Sequence, residues 1–560
     1  MHHLMCLVRN RQNDLVPVSI LPGDILATIF LHIAAASVKN GLSRMEWIRA
    51  TTHVCHRWRE LALEVLGLWT DIHPALGRRW ISEMLARSQG ASLRVLLNED
   101  VQATEYLSSI RSHTYRIKEL RVDVTKSQSP DILSLFSTPA PSLEILHIQK
   151  PDLNDTPVPR QMFAGITPML RRVTLNNCSV SLPSSLLANL THLSLATSYQ
   201  RFGFVGDVVV EHLVRPFGEP PHVAFDQFLD CLEAMPGLRS LRLVNCFGPE
   251  LMEAHVTSVR EKRPAVQLPY LRTLILSDTQ LGCIAILDHI DASGILDIDV
   301  ESRRAERRVA EPLHRRLLAL LAGWTNAIHT RTPLQCLEVY SSRLRLLRAS
   351  HDGRSYHGVV FSVFISDGLQ DLQDLQDICH ALPFEELTEI HLATLHKDLW
   401  SSDTWVNVFA RCEQVRYLSL ETPEAATVCE MLVSGTRRRN RGRMLFPALA
   451  TLKIDGPLSF PPESWQPEIG MFMLPESGSE HKGAYDWLPQ CLMQRQKARM
   501  PLKTLRVTAV GGSFRETWVT HVRKMMADSD GSCILEPSPL WMAPREKRRI
   551  DRPRGYAENP

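Results

Sequence analysis

"VAFDQFLDCLEAMPGLRSLRL", residues 223–243, changes its apolar period partway along. Phe225, Phe228, Leu229 and Leu232 recur at three- and four-residue spacing, which lines one face of a helix. Pro236 and Gly237 break that period. Leu238, Leu241 and Leu243 follow as L-x-x-L-x-L, in which the last two aliphatics share one face of a strand and the first anchors the approach to it. The stretch predicts helix, break and strand in succession.

The same succession recurs in "DLQDLQDICHALPFEELTEIHL" (371–392) and "DTWVNVFARCEQVRYLSL" (403–420). The six-residue strand pattern, with other aliphatics allowed, starts at Leu143, Leu170, Leu190, Leu238, Leu271, Leu334, Leu387, Val415, Leu449 and Leu502, and in weaker form at Ile117, Ile295 and Val360. Many steps, including those from Leu334 through Val360 and Leu387 to Val415, fall at 24–28 residues. One such unit cannot bury its apolar side alone, so stacking of neighbours must supply the core. A chain of 560 residues is too long for one ordinary core, and the fold class expected is α/β, built as a degenerate repeat array. This array resembles the leucine-rich repeat family, including Cys178 and Cys246 at the position after the strand where that family often carries Asn or Cys. A small buried thiol explains both residues without catalysis.

A different pattern precedes the repeats. In "ILPGDILATIFLHI" (20–33), Leu26, Ile29, Phe30 and Ile33 fit one helical face, Pro22 and Gly23 come just before it, and Asp24 places a carboxylate in the first turn. "MEWIRA" supplies a second short element, and Val54, Trp58, Leu61 and Val65 form a further apolar stripe. Three short helices bury little between themselves, so Leu21, Pro22 and Trp69 are expected to need a partner surface. The ordered set "LPGDILATIF", "VCHRWRELA" and a final "LW" resembles the F-box, the helical module that docks a substrate receptor on the Skp-family adaptor of cullin-RING ubiquitin ligases. The form with "WIRATTHVCHRW" is similar to one common in F-box proteins of mushroom-forming fungi, with a longer spacer, "HIAAASVKNGLSRMEWIRATT", than the shorter F-box pattern. The resemblance implies that Leu21, Pro22, Ile25, Leu26, Ile29, Phe30, Val54, Cys55, Trp58, Leu61 and Trp69 form the module core and the adaptor contact.

The organisation expected is a disordered segment at 1–18, an F-box-like module at 19–72, and a leucine-rich-repeat-like solenoid over 73–537. Insertions near 301–330 and 434–444 interrupt the solenoid, and a disordered basic tail follows at 538–560. The helix expected after Pro312 carries Leu313, Leu317, Leu320, Leu321 and Trp324.

Charge and composition narrow the function. With 63 basic and 61 acidic side chains, no whole-chain field points to nucleic acid or an acidic membrane. "TRRRNRGR" and "PREKRRIDRPRGY" read first as a solvated loop and tail, with a nuclear-import or acidic-partner patch as the alternative for either. The 12 cysteines show no C-x-x-C pair, no apolar run reaches bilayer length, and the start lacks a signal-peptide core, so a cytoplasmic or nuclear protein is expected. The sequons at Asn154 and Asn189 are then chance matches. His53, Cys55 and His56 do not read as a metal site, because adjacent helical residues point in different directions and four ligands at metal-site spacing are missing. Asp297, Asp299 and Glu301 alternate on one face of a strand with no partner base in sight.

The expectation is a non-catalytic receptor without a cofactor. Its partners would be the Skp-family adaptor, cullin through that adaptor, and a target protein on the repeats. A non-ligase interaction scaffold with an F-box-like module is the alternative.

Overall fold

The structure is a computed structural model that describes residues 11–13, 15–39, 46–73, 77–98, 103–123, 135–149, 161–178, 185–197, 203–205, 208–210, 224–247, 251–303, 311–331, 333–340, 343–348, 359–365, 379–393, 402–421, 432, 444–456, 484–510 and 516–538. Both basic runs, and residues 371–378 of the predicted helix before Leu387, lie outside these residues. The chain is α/β with parallel sheets and folds as two compact units: Met1–Thr273 with His289–Gly294, and Leu274–Asp288 with Ile295–Pro560.

The first unit opens with α1 (Gly23–Lys39), α2 (Glu46–Thr52) and α3 (His56–Glu64). Residues 11–13 are helical and a 3-10 turn, Pro17–Ile20, precedes α1, so regular structure begins well inside the segment expected to be disordered. The stripe expected from Val54 to Val65 is interrupted: α2 ends at Thr52, and α3 starts at His56 behind an extended Cys55.

A parallel ladder follows: β1 (Asp71–Ile72), β2 (Leu93–Asn98), β3 (Ile117–Asp123), β4 (Ile145–Gln149), β5 (Arg172–Asn176), β6 (His192–Ala196) and β7 (Ser240–Val244). Each pairs in parallel with the next. Helices α4 (Gly77–Arg87), α5 (Ala103–Arg111), α6 (Phe225–Glu233) and α7 (Glu253–Lys262) fill the longer connections. All four apolar residues expected on one face of α6 are buried. Between β4 and β6 only 3-10 turns are found among the described residues, at Met162–Gly165 and Ser185–Leu187.

The second unit contains α8 (Gln280–His289, whose last residue belongs to the first unit) and β8 (Asp297–Arg303). Helix α9 (Glu311–His329) begins where the sequence predicts it. Trp324 on α9 donates its indole N–H to the Leu287 carbonyl, and Arg316 meets Asp288 at 2.6 Å. Beyond it come β9 (Leu334–Tyr340), β10 (Arg343–Arg348), β11 (Val359–Ile365), β12 (Glu389–Ala393), β13 (Tyr417–Glu421), β14 (Thr451–Gly456), β15 (Thr504–Val510) and β16 (Ser532–Ser538). Helices α10 (Ser402–Phe409), α11 (Ala484–Lys497) and α12 (Glu516–Ala527) precede β13, β15 and β16.

Strands β9, β12, β13, β14, β15 and β16 form a continuous parallel run. The strand at Val360 departs from the expected series. Instead of standing between Leu334 and Leu387, β11 pairs in parallel with β8 and antiparallel with β10, and β10 turns back on β9. Strand β9 then pairs directly with β12, so an antiparallel strand is inserted into the ladder.

Three recurrent devices hold the units. The first leucine of the strand pattern is turned into the core by its amide, which donates to the carbonyl three residues back at Leu143, Leu170, Leu238, Leu271, Leu387 and Leu449. Period-2 burial then places Leu146 and Ile148, Leu241 and Leu243, or Leu452 and Ile454 inside. After β5 and β7, Asn177 and Asn245 adopt left-handed backbone, which Asn tolerates. The next residue, Cys178 or Cys246, is buried, and Cys246 donates to the Leu195 carbonyl at 3.3 Å.

In the third device, a buried or half-buried arginine reaches back to carbonyls of an earlier segment of the chain. Arg116 donates to the Leu85 and Ala91 carbonyls at 3.1 and 2.8 Å, Arg411 to the Cys379, His380 and Leu382 carbonyls, and Arg495 to those of Leu445, Phe446 and Leu449. These carbonyls close helix ends and turns that strand pairing cannot satisfy. In the second unit Phe384, Phe409 and Phe446, which lie ahead of β12, β13 and β14, pack ring to ring at 6.3 and 6.0 Å. Among the described residues no helix is long and apolar enough to cross a membrane.

Candidate functional site

Helix α1 carries two apolar stripes, one residue out of phase. Leu26 and Phe30 are fully buried, with Phe30 packed on Trp58 at 5.0 Å between ring centroids, and Ile33 is half-buried. Ile25 and Ile29, one turn apart, lie on the other stripe and are 45% and 36% exposed, and Pro22, just before the helix, is exposed as well. One residue of helix is a rotation of about 100°, so a helix apolar at both i and i+1 cannot turn all of it to one core. Ile29, expected in the inward stripe, therefore points outward. Val54, expected on a helical face, is 56% exposed in the turn between α2 and α3.

The remaining expected residues sort as follows. Leu21, Cys55, Trp58 and Leu61 are half-buried. Trp69, expected to seek a partner, is fully buried instead. Its indole donates to the Ala62 carbonyl at 3.0 Å, its ring meets Trp47 edge-on at 5.5 Å, and the Arg87 guanidinium lies 4.4 Å from its centre. Trp69 thus joins α3 to α4 and is a core residue. Arg57 was not singled out in the sequence, yet it donates to the carbonyls of Ser19 and Leu21, at 2.8 Å to the latter, and so fixes the approach to α1. Leu31, another residue not anticipated, adds exposed apolar surface on α1. His53 and His56 are exposed, and His56 pairs with Glu60 one turn along at 3.2 Å.

The second candidate surface is the face of each sheet opposite the buried leucines. In the first unit, register aligns Arg121, His147, Thr174, Ser194 and Arg242 in one row across β3 to β7, and all are at least half-exposed or partly accessible. Arg121 is paired with Glu119 on its own strand at 2.6 Å. In the second unit, the corresponding row runs Glu338, His391, Ser419, Lys453 and Arg506 across β9 and β12 to β15, with Ser419 buried. Lys453 lies 2.5 Å from Asp455 and 3.9 Å from Glu421. Burial works against its ammonium, but those carboxylates outweigh it and raise its pKa above the ordinary lysine value. Asp297, Asp299 and Glu301 are half-buried on β8, while Ile298 and Val300 between them are buried, which is the alternation expected. Such faces offer hydrogen bonds and charges of both signs to a macromolecular partner.

Comparison with protein-family models gives no match for this chain, and comparison with curated proteins gives none.

Proposed function

We propose that the chain is an F-box substrate receptor of an SCF-type ubiquitin ligase, acting in the cytoplasm or nucleus. Helices α1 to α3 dock on the Skp-family adaptor, and through it on cullin, while a leucine-rich-repeat-like solenoid presents a target protein. The observation that carries this reading is the outward stripe of Ile25 and Ile29 on α1, with Pro22 exposed just before the helix and Val54 exposed in the turn before α3. A contiguous apolar stripe left in water is a cost that a partner surface removes. The order of the motif residues supports the F-box reading, and the polar rows over regularly stacked leucines support the repeat reading.

The chain does no chemistry in this reading. It holds a target close to a ubiquitin-charged enzyme carried elsewhere in the complex and raises the effective concentration of the acceptor lysine. The test is co-purification of the full chain with the Skp-family adaptor and cullin at moderate salt, beside a Leu21→Ala/Pro22→Ala variant. Capture by the wild type and its loss in a folded variant is the expected result. If the folded wild type captures neither protein, the chain is a repeat scaffold and the ligase role is wrong.

A further inference from the structure

Strands β9 and β12 bring together three side chains of metal-binding type that no local spacing links. Register sets Cys336 opposite Glu389 and Glu338 opposite His391. Glu389 and His391, two residues apart, project from the same face of β12. The Cys336 sulfur, a Glu389 carboxylate oxygen and a His391 ring nitrogen all lie within 4.8 Å of one another, and His391 Nε2 is 3.6 Å from Glu389 Oε2. Cys336 is buried, and the other two are half-buried. We propose that Cys336, Glu389 and His391 bind a divalent ion of the zinc class, with three protein ligands and the fourth position open towards the polar face of the sheet.

Donor chemistry selects the ion. Thiolate, imidazole and carboxylate together suit a borderline-soft cation, whereas calcium and magnesium take oxygen ligands. Bond lengths of about 2.0 Å to nitrogen and oxygen and about 2.3 Å to sulfur place tetrahedral ligands roughly 3.3–3.6 Å apart. The three donors therefore need to close by about 1 Å, within reach of side-chain rotation over a fixed strand pair. Charge agrees as well: a thiolate and a carboxylate balance a doubly charged cation. Without the ion, burial and the nearby carboxylates of Glu338 and Glu389 hold the thiol protonated, its pKa raised far above the ordinary value. A cation among these groups reverses that field and releases the proton, as metal binding to cysteine requires. Glu338, held 3.7 Å from Arg345, stands next to His391 as an outer carboxylate.

The test uses the full chain, stripped with a chelator and titrated with zinc, then with cobalt(II) as a spectroscopic probe. One zinc per chain by elemental analysis and a thiolate-to-cobalt charge-transfer band are expected. Cys336→Ser should abolish the band. His391→Gln leaves the buried thiol in place and should weaken zinc binding by more than the roughly 100-fold upper range seen when an outer-shell partner is removed. The thermal midpoint of that variant without metal should match the metal-free wild type, which separates ligand loss from unfolding. Absence of stoichiometric zinc at micromolar free metal, or binding that both variants retain, overturns the site.

Discussion

Phe30 and Ile29 are neighbours on α1, and replacing one or the other should separate folding from docking. Phe30 is fully buried against Trp58, so Phe30→Ala removes an aromatic side chain from a small core that cannot collapse around the cavity. Such truncations cost about 3–5 kcal/mol. Because each 1.4 kcal/mol is tenfold in an opening equilibrium, amides of α1 to α3 should exchange with deuterium roughly 100-fold faster or more. Ile25→Ser/Ile29→Ser changes the outward stripe instead. Surface substitutions of this kind stay within about 0.5 kcal/mol each, so exchange in the same helices should change less than about tenfold. Its effect should fall on the adaptor: titration calorimetry with the Skp-family adaptor should show affinity reduced at least tenfold, the loss of about 1.4 kcal/mol. The reasoning fails if the double serine variant loosens α1 as much as Phe30→Ala does. It fails equally if that variant binds the adaptor as the wild type does.

Other consequences can be measured on the chain alone. Trp69→Phe keeps a ring against Trp47 but loses the N–H that reaches the Ala62 carbonyl, and should cost about 1–2 kcal/mol, read as a lower denaturant midpoint of the first transition. Arg495→Met should cost about 3 kcal/mol, because the Leu445, Phe446 and Leu449 carbonyls lose their donor in a dry site; exchange should accelerate at both 445–449 and 484–497. Burial raises the Cys412 thiol to about 12 and the Cys491 thiol to about 11, from an ordinary value near 9. Folding therefore favours their protonated forms, and the stability so contributed is whole below pH ~9 and is lost as pH rises through about 11 for Cys491 and about 12 for Cys412. Thermal midpoints should fall across that window, and less steeply in Cys491→Ala.

Strand positions were legible wherever apolar residues alternate, because burial on one face of a sheet imposes a period of two. Strand β2 escaped that reading: Leu96 and Leu97 are adjacent, and only Leu97 faces the core. Pro537 obscures β16, where it stands near the end of a strand with no further partner recorded beyond it among the described residues. The pairing of β11 was illegible for another reason. Its composition reads as a strand, but its place between β8 and β10 depends on a long-range choice that a regular step cannot signal. At the N-terminus, the residues of the module were visible and their orientations were not, since Ile25, Leu26, Ile29 and Phe30 are all apolar and only packing against Trp58 decides which turn inward. The Cys336, Glu389 and His391 cluster had no sequence signature, because a sheet, and not a local motif, assembles it.

On the repeat reading proposed above, the arginines that reach back along the chain bear on how such an array can change over generations. Tandem arrays gain and lose members by duplication and deletion, and a repeat whose contacts are all apolar can be excised with little more than a change of length. A repeat locked by Arg116, Arg411 or Arg495 carries only half of its junction, since the guanidinium sits on one member and the carbonyls on the member before it. Removing either member strands a buried charge or a set of buried carbonyls, which is a heavier loss than a shortened core. These junctions are thus the places where the order of repeats is frozen, and length variation between descendants should accumulate at joints that lack an arginine.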